Sequence, residues 1–274
     1  MHSRNARRVA TESLAAHRAP CAWKSTAITA SSILTGVAIW ALASHGLHSP
    51  LFPSPLAIVR AGGGMLLDGS LVKDAAVSLQ RIGIGFGIGC AVGIPLGLAM
   101  GLYRPVRVFF DPYVQFLRFV PPIAWLIPAI MWFGIGEVSK VLIIFDMTVF
   151  LVLLNTIAGV AAVRRNHVRS ALCFGAGRWQ IFAWVIFPAA MPYIVAGARI
   201  AMGNSFAAVV GAELIAANAG LGYLIVDSGT WLAMDNMFAA MLTLALLGIA
   251  ADRLFRSLTG RLLRPYLAHV TDIR

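Results

Sequence analysis

The run Ile82–Tyr103, IGIGFGIGCAVGIPLGLAMGLY, holds 22 residues and not one charge. A helix needs about 20 mostly apolar residues to cross the hydrocarbon core of a bilayer, and this run supplies them. It is also unusually rich in glycine, at positions 83, 85, 87, 89, 93, 97 and 101, with Pro95 among them. Small residues let helix backbones approach closely in lipid, where packing replaces the missing hydrophobic drive between helices. Two readings of the glycines follow: a tightly packed scaffold helix, or the lining of a solute path.

Working outward, the rest of the chain fits the same solvent. Of its 274 residues, 59% are hydrophobic and 12% charged, whereas a soluble domain carries about a quarter charged residues to keep its surface wet. Mean hydropathy is +0.81. A net charge of +11 raises the question of nucleic acid, but such a binder concentrates its basic residues in one solvated patch. Here they fall in short clusters between apolar runs, which excludes that class. The sequence therefore predicts an all-α, polytopic membrane protein.

About six transmembrane helices are expected, over 27–46, 77–102, 112–134, 139–162, 189–215 and 233–255. They make a transmembrane domain of residues 27–257, between a basic N-terminal tail (1–26) and a basic C-terminal tail (258–274). The stretch before the first span is read as a retained anchor, not a cleaved signal, because no small-x-small cleavage site precedes a soluble domain. Sixteen of the 22 basic residues lie on one face: before the first span, after the second, between the fourth and fifth, and after the sixth. Only Arg60, Lys73 and Lys140 lie on the other, and three more fall within spans. The positive-inside rule then puts both termini in the cytoplasm. The outer loop 47–75, with Pro50, Pro53, Pro55 and then Gly62–Gly64, is expected to hold a short surface helix near 55–68.

Cys21, Cys90 and Cys173 are read as free thiols, and His45 with His48 lacks the further ligands a metal site needs; no metal is expected. No H-E-x-x-H or G-x-S-x-G occurs to carry enzymatic chemistry. A phosphate-cradling loop needs lysine after glycine, yet Lys24 follows Trp23, Lys73 follows Val72 and Lys140 follows Ser139. The chain is not an enzyme on this reading, and any ATP it depends on is handled elsewhere.

The inside segment 163–188, VRRNHVRSALCFGAGRWQIFAWVIFP, is long for a connection and strongly amphipathic. Leu172, Phe174, Trp179, Phe182 and Val185 interleave with Arg169, Arg178 and Gln180, and Gly175 and Gly177 permit a sharp turn between two short helices. Pro188 suits the first turn of the fifth span. Physics alone leaves two readings, an apolar ridge for a partner's groove or an interfacial helix on anionic lipid.

Here the sequence resembles a family. Ser170-Ala171, Gly175 and, after nine intervening residues, Val185-x-Phe187-Pro188 resemble the EAA loop of binding-protein-dependent ABC importer permeases. The stretches FLRFVPPIAWLIPAIMWFGIGEVSK (116–140), LLNTIAGV (153–160) and GAELIAANAGLGYLI (211–225) are similar to the nitrate, sulfonate, taurine and bicarbonate branch, with the sulfonate and taurine permeases nearest. Arg169 stands where the motif has Glu, Ser170 where it has Ala, and Phe187 where it has Leu.

The resemblance implies a MetI-like fold and a homodimer of this chain with two cytoplasmic ATPase subunits and a periplasmic solute-binding protein. ATP and Mg would be used by the ATPase, and this chain would bind no cofactor. Coupling to the ATPase would fall to Arg169, Ser170, Ala171, Gly175, Ala176, Gly177, Arg178, Trp179 and Pro188. The solute would be a small anion, of sulfonate or taurine type before nitrate or bicarbonate.

Charges inside a membrane ask for a partner or a wet cavity. Arg118, Asp146, Arg199 and Glu213 qualify, with Arg81 near a span end. They read either as pairs between helices or as solute contacts. Arg118, beside Pro121-Pro122, suits an anion in transit, and Trp125, Asn155, Asn204 and Glu213 are the further path candidates. The segment 220–225, GLGYLI, reads as a gate, a docking surface or a re-entrant packing loop. The rival function is an ion-coupled secondary transporter using Asp146 and Glu213. It predicts internal repeats, and residues 27–162 and 189–255 show no self-similarity.

Overall fold

The computed structural model describes residues 22–47 and 49–263. Most of both basic tails, and with them Cys21, as well as His48, lie outside the described residues. The chain divides into two compact units, residues 1–59 and 60–274.

In the first unit, α1 (Ala22–Leu47) is a single uninterrupted helix. Its described side chains are apolar on every face, with Ile28, Leu34, Ile39 and Leu42 all exposed, as suits a helix solvated by lipid. Its hydroxyls turn inward on the backbone: Ser31 donates to the Ile28 carbonyl at 2.9 Å and Thr35 to that of Ser31 at 2.8 Å. α2 (Pro55–Leu67) starts where the sequence puts a proline at the first helical position, and the Ser54 hydroxyl accepts from the Ala57 N–H at 3.2 Å.

The second unit is built on three long helices. α3 (Ser70–Leu102) and α6 (Glu137–Ala161) lie along one another, and α9 (Phe187–Ala216) packs along α6 as well and also touches α3. The glycine run explains the first contact. A Cβ at Gly85 would stand 2.7 Å from Ile144, at Gly89 2.6 Å from Thr148, at Gly93 2.9 Å from the Val149 carbonyl, at Gly97 2.7 Å from Thr156 and at Gly101 2.7 Å from Val160. These five glycines recur every fourth residue and form a groove into which α6 fits; Gly83 and Gly87 meet nothing. Of the two readings of the glycines, close packing accounts for these five. Buried hydroxyls at the seam satisfy themselves locally: Thr148 and Thr156 donate to the carbonyls four residues back, and Thr148 meets Ser205 of α9 at 3.1 Å.

The stretch expected as one span over 112–134 is instead two helices bent by 90°. α4 (Arg104–Leu117) ends ahead of Arg118, a 3₁₀ turn runs Pro122–Trp125, and α5 (Leu126–Phe133) continues to Gly134. Pro121 and Pro122 lack N–H groups and bias each preceding residue out of the helical region, so the ladder breaks there. Gln115 and Arg118 apart, the run is apolar, which is why hydropathy alone does not reveal the corner.

After α6 come α7 (Arg165–Cys173) and the short α8 (Arg178–Ile181). The π turn Phe182–Ile186 then leads into α9. α10 (Leu221–Thr230) and α11 (Met234–Leu262) close the bundle. Among the described residues, five helices are long and apolar enough to cross a membrane, or six with the bent pair as one. The described chain is helical with no strand.

Candidate functional site

The charges carried by the spans divide into two groups, those that the protein itself satisfies and those that it does not. The first group centres on Arg81 and Glu213. Glu213, 1% exposed on α9, receives a hydrogen bond from Arg81 Nη1 at 2.6 Å, from the Ser78 hydroxyl at 2.9 Å and from the Gly222 N–H at 2.7 Å. Arg81 also donates to the Ala219 carbonyl at 2.7 Å, and through Nε and Nη2 it grips both oxygens of Glu137 at 2.6 and 2.7 Å. Lys140 reaches the same Glu137 at 3.1 Å. Asp74 accepts from the Gly220 N–H at 2.9 Å, and Ser78 accepts from the Leu221 N–H at 2.8 Å.

The start of GLGYLI is thus a backbone cradle around one carboxylate. Gly220 holds φ +122, and a Cβ there would collide with the Glu213 carboxyl group. Of the readings open for this segment, packing is the one its contacts express, and Glu213 is a buried, fully partnered anion rather than the wall of an open path. Asp74, Ser78, Glu137 and Lys140 were not singled out as site residues from the sequence. The signal available was Arg81 near a span end, but its partners lie 56 and 132 positions away.

Arg199, the other charge of α9, donates to Asp252 of α11 at 2.6 Å, and Asp252 also pairs with Arg256 at 2.8 Å. It is an interhelical tie.

The second group sits at the corner of the bent pair. Arg118, Asp146 and Asn204 line one cavity of about 370 Å³. Arg118 lies over the Phe119 ring, 4.7 Å from its centroid, and neither it nor Asp146 forms an ion pair among the described residues. Trp125 faces a neighbouring cavity of about 550 Å³, which Asp146 also lines. The indole Nε1 of Trp125 is buried with no acceptor among the described residues, an uncommon state for a buried donor. Asn155 stands apart: its amide donates to the Leu151 carbonyl at 2.8 Å, and it packs beneath Gly197, where a Cβ could not fit. Three of the five path candidates thus gather around Asp146, and two are absorbed by packing.

In the loop, α7 ends in a left-handed Gly175, φ +76, with the Ala176 N–H reaching back to the Ala171 carbonyl at 3.0 Å and the Gly175 N–H to that of Leu172 at 2.9 Å. This is the glycine-terminated cap that reverses a chain after a helix. Gln180 accepts from the Gly177 N–H at 2.7 Å and opens α8. Pro188 cannot donate to the carbonyl of Trp184, and the preceding turn widens so that the Phe187 N–H reaches Phe182. The outcome is a bent pair of short helices with Phe174 91% and Trp179 75% exposed, and with Leu172 and Trp184 exposed beside them. Arg165, His167, Arg169 and Arg178 are exposed on the same pair of helices.

The profile of a family described as the binding-protein-dependent transport system inner membrane component matches residues 93–264. The taurine transport system permease protein TauC of Escherichia coli is 36% identical over 229 residues, which is 81% of this chain and 83% of that protein. The putative aliphatic sulfonates transport permease protein SsuC of the same organism is 39% identical over 218 residues, 79% of this chain and 83% of that protein. Among solved structures, the inward-facing MetNI methionine ABC transporter superposes with a TM-score of 0.56 at 19% identity, covering 69% of this chain and 92% of the matched one, a likeness of fold.

Proposed function

This chain belongs to the binding-protein-dependent transport system inner membrane components, and from that premise we propose that two copies of it form the translocation path of an ATP-driven importer for a sulfonate-type anion. It is the permease subunit of an ABC importer, a multi-pass inner-membrane protein and a transport component. The family implies an ATPase and a binding protein as partners.

The finer reading is a homodimer served by two ATPase subunits that use ATP and Mg, with a periplasmic binding protein delivering solute. Both termini face the cytoplasm, the bent pair acts as one of six spans, and the tails flank a transmembrane domain of residues 27–257. The sulfonate and taurine transport named for the relatives supports the solute class, and Arg118 at the corner offers the anion a cation. Arg169, Ser170, Ala171, Gly175, Ala176, Gly177, Arg178, Trp179 and Pro188 form the coupling loop.

One observation carries this reading: an apolar knuckle of Phe174 and Trp179 stands exposed on a basic, glycine-capped bend. Exposed aromatic rings on a rigid turn are the usual anchor for a partner's pocket. The knuckle is tested by co-purification with the partner ATPase. Phe174→Ala with Trp179→Ala should release the ATPase and abolish solute-stimulated hydrolysis while the permease still folds in detergent. Retention of both would refute the coupling role.

A further inference from the structure

We propose that α4 carries a binding site for an anionic phospholipid of the cytoplasmic leaflet, with Arg104 and Arg107 on its phosphate and Asp111 on its headgroup hydroxyls. The site rests on the topology read from the basic residues and is independent of the solute. The uncharged run closes at Tyr103, which makes Arg104 the first charge beyond the hydrocarbon, and tyrosine is enriched at that headgroup level. Arg104, Arg107 and Asp111, three and four residues apart, share one face of α4. With Met100, Gly101 and Leu102 from the last turn of α3 they line a cavity of about 430 Å³. Arg256 closes on Asp252 one turn away, but Arg107 and Asp111, at the same spacing, form no ion pair, and neither does Arg104.

The surface beside these charges is apolar. Val106 and Phe110 pack inward with Met100 and Leu153, whereas Val108, Phe109 and Tyr113 stand exposed. Together with Arg104, Pro105 and Pro112 they border a hollow of about 710 Å³. Arg104 and Val108 line both cavities, so charge and apolar surface meet there. A soluble anion would use the charged side alone. A phospholipid uses both, its phosphate against the arginines and an acyl chain along the rings. Basic pockets between helices on the cytoplasmic side bind phospholipid headgroups in this way. Two arginines against one aspartate leave a single positive charge, the complement of phosphatidylglycerol. Its glycerol hydroxyls can donate to Asp111, and phosphatidic acid lacks them.

The test is native mass spectrometry of the complete transporter in mild detergent, titrated with phosphatidylglycerol, phosphatidic acid and phosphatidylcholine. Wild type should retain phosphatidylglycerol over phosphatidylcholine. Arg104→Gln with Arg107→Gln should lower that retention by about tenfold or more, the scale of two cations facing an anionic lipid, with the ATPase still bound. Arg253→Gln removes an exposed charge of α11 outside both cavities and should change retention little. Asp111→Ala should shift the ratio of phosphatidylglycerol to phosphatidic acid by about threefold or more toward phosphatidic acid, and a ratio is independent of the folded fraction. Free glycerol 3-phosphate should not displace the lipid.

Unchanged retention in the double variant overturns the site, and so does an equal loss in Arg253→Gln, which would mean diffuse attraction alone. Displacement by glycerol 3-phosphate overturns the lipid in favour of a soluble anion. An unchanged ratio in Asp111→Ala overturns the hydroxyl contact. Retention in detergent does not depend on orientation, so a reversed topology would overturn the leaflet and leave the chemistry of the site standing.

Discussion

At the residue scale the buried charges of the described chain, Asp74, Arg81, Lys140 and Glu213, gather in one cluster. Removing one member of a buried ion pair leaves an uncompensated charge and costs about 3–5 kcal/mol, whereas an exposed pair is worth about 0–1 kcal/mol. Arg81 is 4% exposed and Glu137 is 61% exposed at the side chain. Arg81→Leu should therefore lower the thermal midpoint of the purified protein most, since it strands Glu213. Glu213→Gln should cost less, because its amide still accepts from Ser78 and Gly222, and Glu137→Gln should cost least. A reversed order would show that Glu137, not Glu213, anchors the guanidinium. Gly220→Ala belongs to the same cluster: its backbone sits in a region L side chains avoid, and the added methyl would strike the Glu213 carboxyl, so the variant should destabilise comparably. A sequence shows such charges but not their partners, because contact across 132 positions is set by the fold. That is why Glu213 reads as a path residue until its neighbours are seen. Arg169 is a departure of the opposite kind, exposed and legible. If it meets an acidic residue on the ATPase, Arg169→Glu should cut coupled hydrolysis, and a paired acid-to-arginine change on the ATPase should restore it; full activity of the single variant would dismiss the pairing.

At the element scale the same logic separates what periodicity reveals from what it hides. The apolar runs that mark α1, α3, α6, α9 and α11 are readable because lipid excludes charge over about 20 residues. The glycine density of α3 is equally plain, but not which of its glycines face a neighbour. Gly85, Gly89, Gly93, Gly97 and Gly101 are pressed against α6, and Gly83 and Gly87 are free of contact. A methyl forced into a packed seam costs about 1–3 kcal/mol, while alanine for an exposed helical glycine gains up to about 1 kcal/mol. Gly97→Ala should accordingly lower the melting temperature of the purified subunit, and Gly87→Ala should hold or raise it. Equal effects at both positions would mean that α3 and α6 do not meet along this ridge. The corner at residues 118–121 is hidden for a different reason. Its two prolines interrupt hydrogen bonding without interrupting hydropathy, so a run that looks like one crossing becomes two segments bent by 90°. That bend leaves Arg118 and Asp146 lining one cavity.

At the scale of the whole molecule, function depends on which side of the membrane each end of the bundle occupies, and the chain carries its own probe. Cys173 is exposed at the end of α7, whereas Cys90 lies half-buried within α3. On the topology proposed from the basic residues, α7 and α8 are cytoplasmic, and the Arg81–Glu213 cluster, at the other end of α3 and α9, faces the exterior. With Cys21→Ser in the background, a membrane-impermeant maleimide should label Cys173 in inside-out vesicles and fail to label it in sealed right-side-out ones until they are permeabilised. Labelling from the outside would reverse the topology, and with it the loop could meet no cytoplasmic ATPase. Adding the ATPase to inside-out vesicles extends the measurement from orientation to coupling. Phe174 and Trp179 flank the same bend, so a subunit that grips them must cover the thiol beside them. Protection of Cys173 by the bound ATPase, lost again in Phe174→Ala with Trp179→Ala, would tie the side of the membrane, the docking surface and the source of mechanical work to a single turn held open by Gly175.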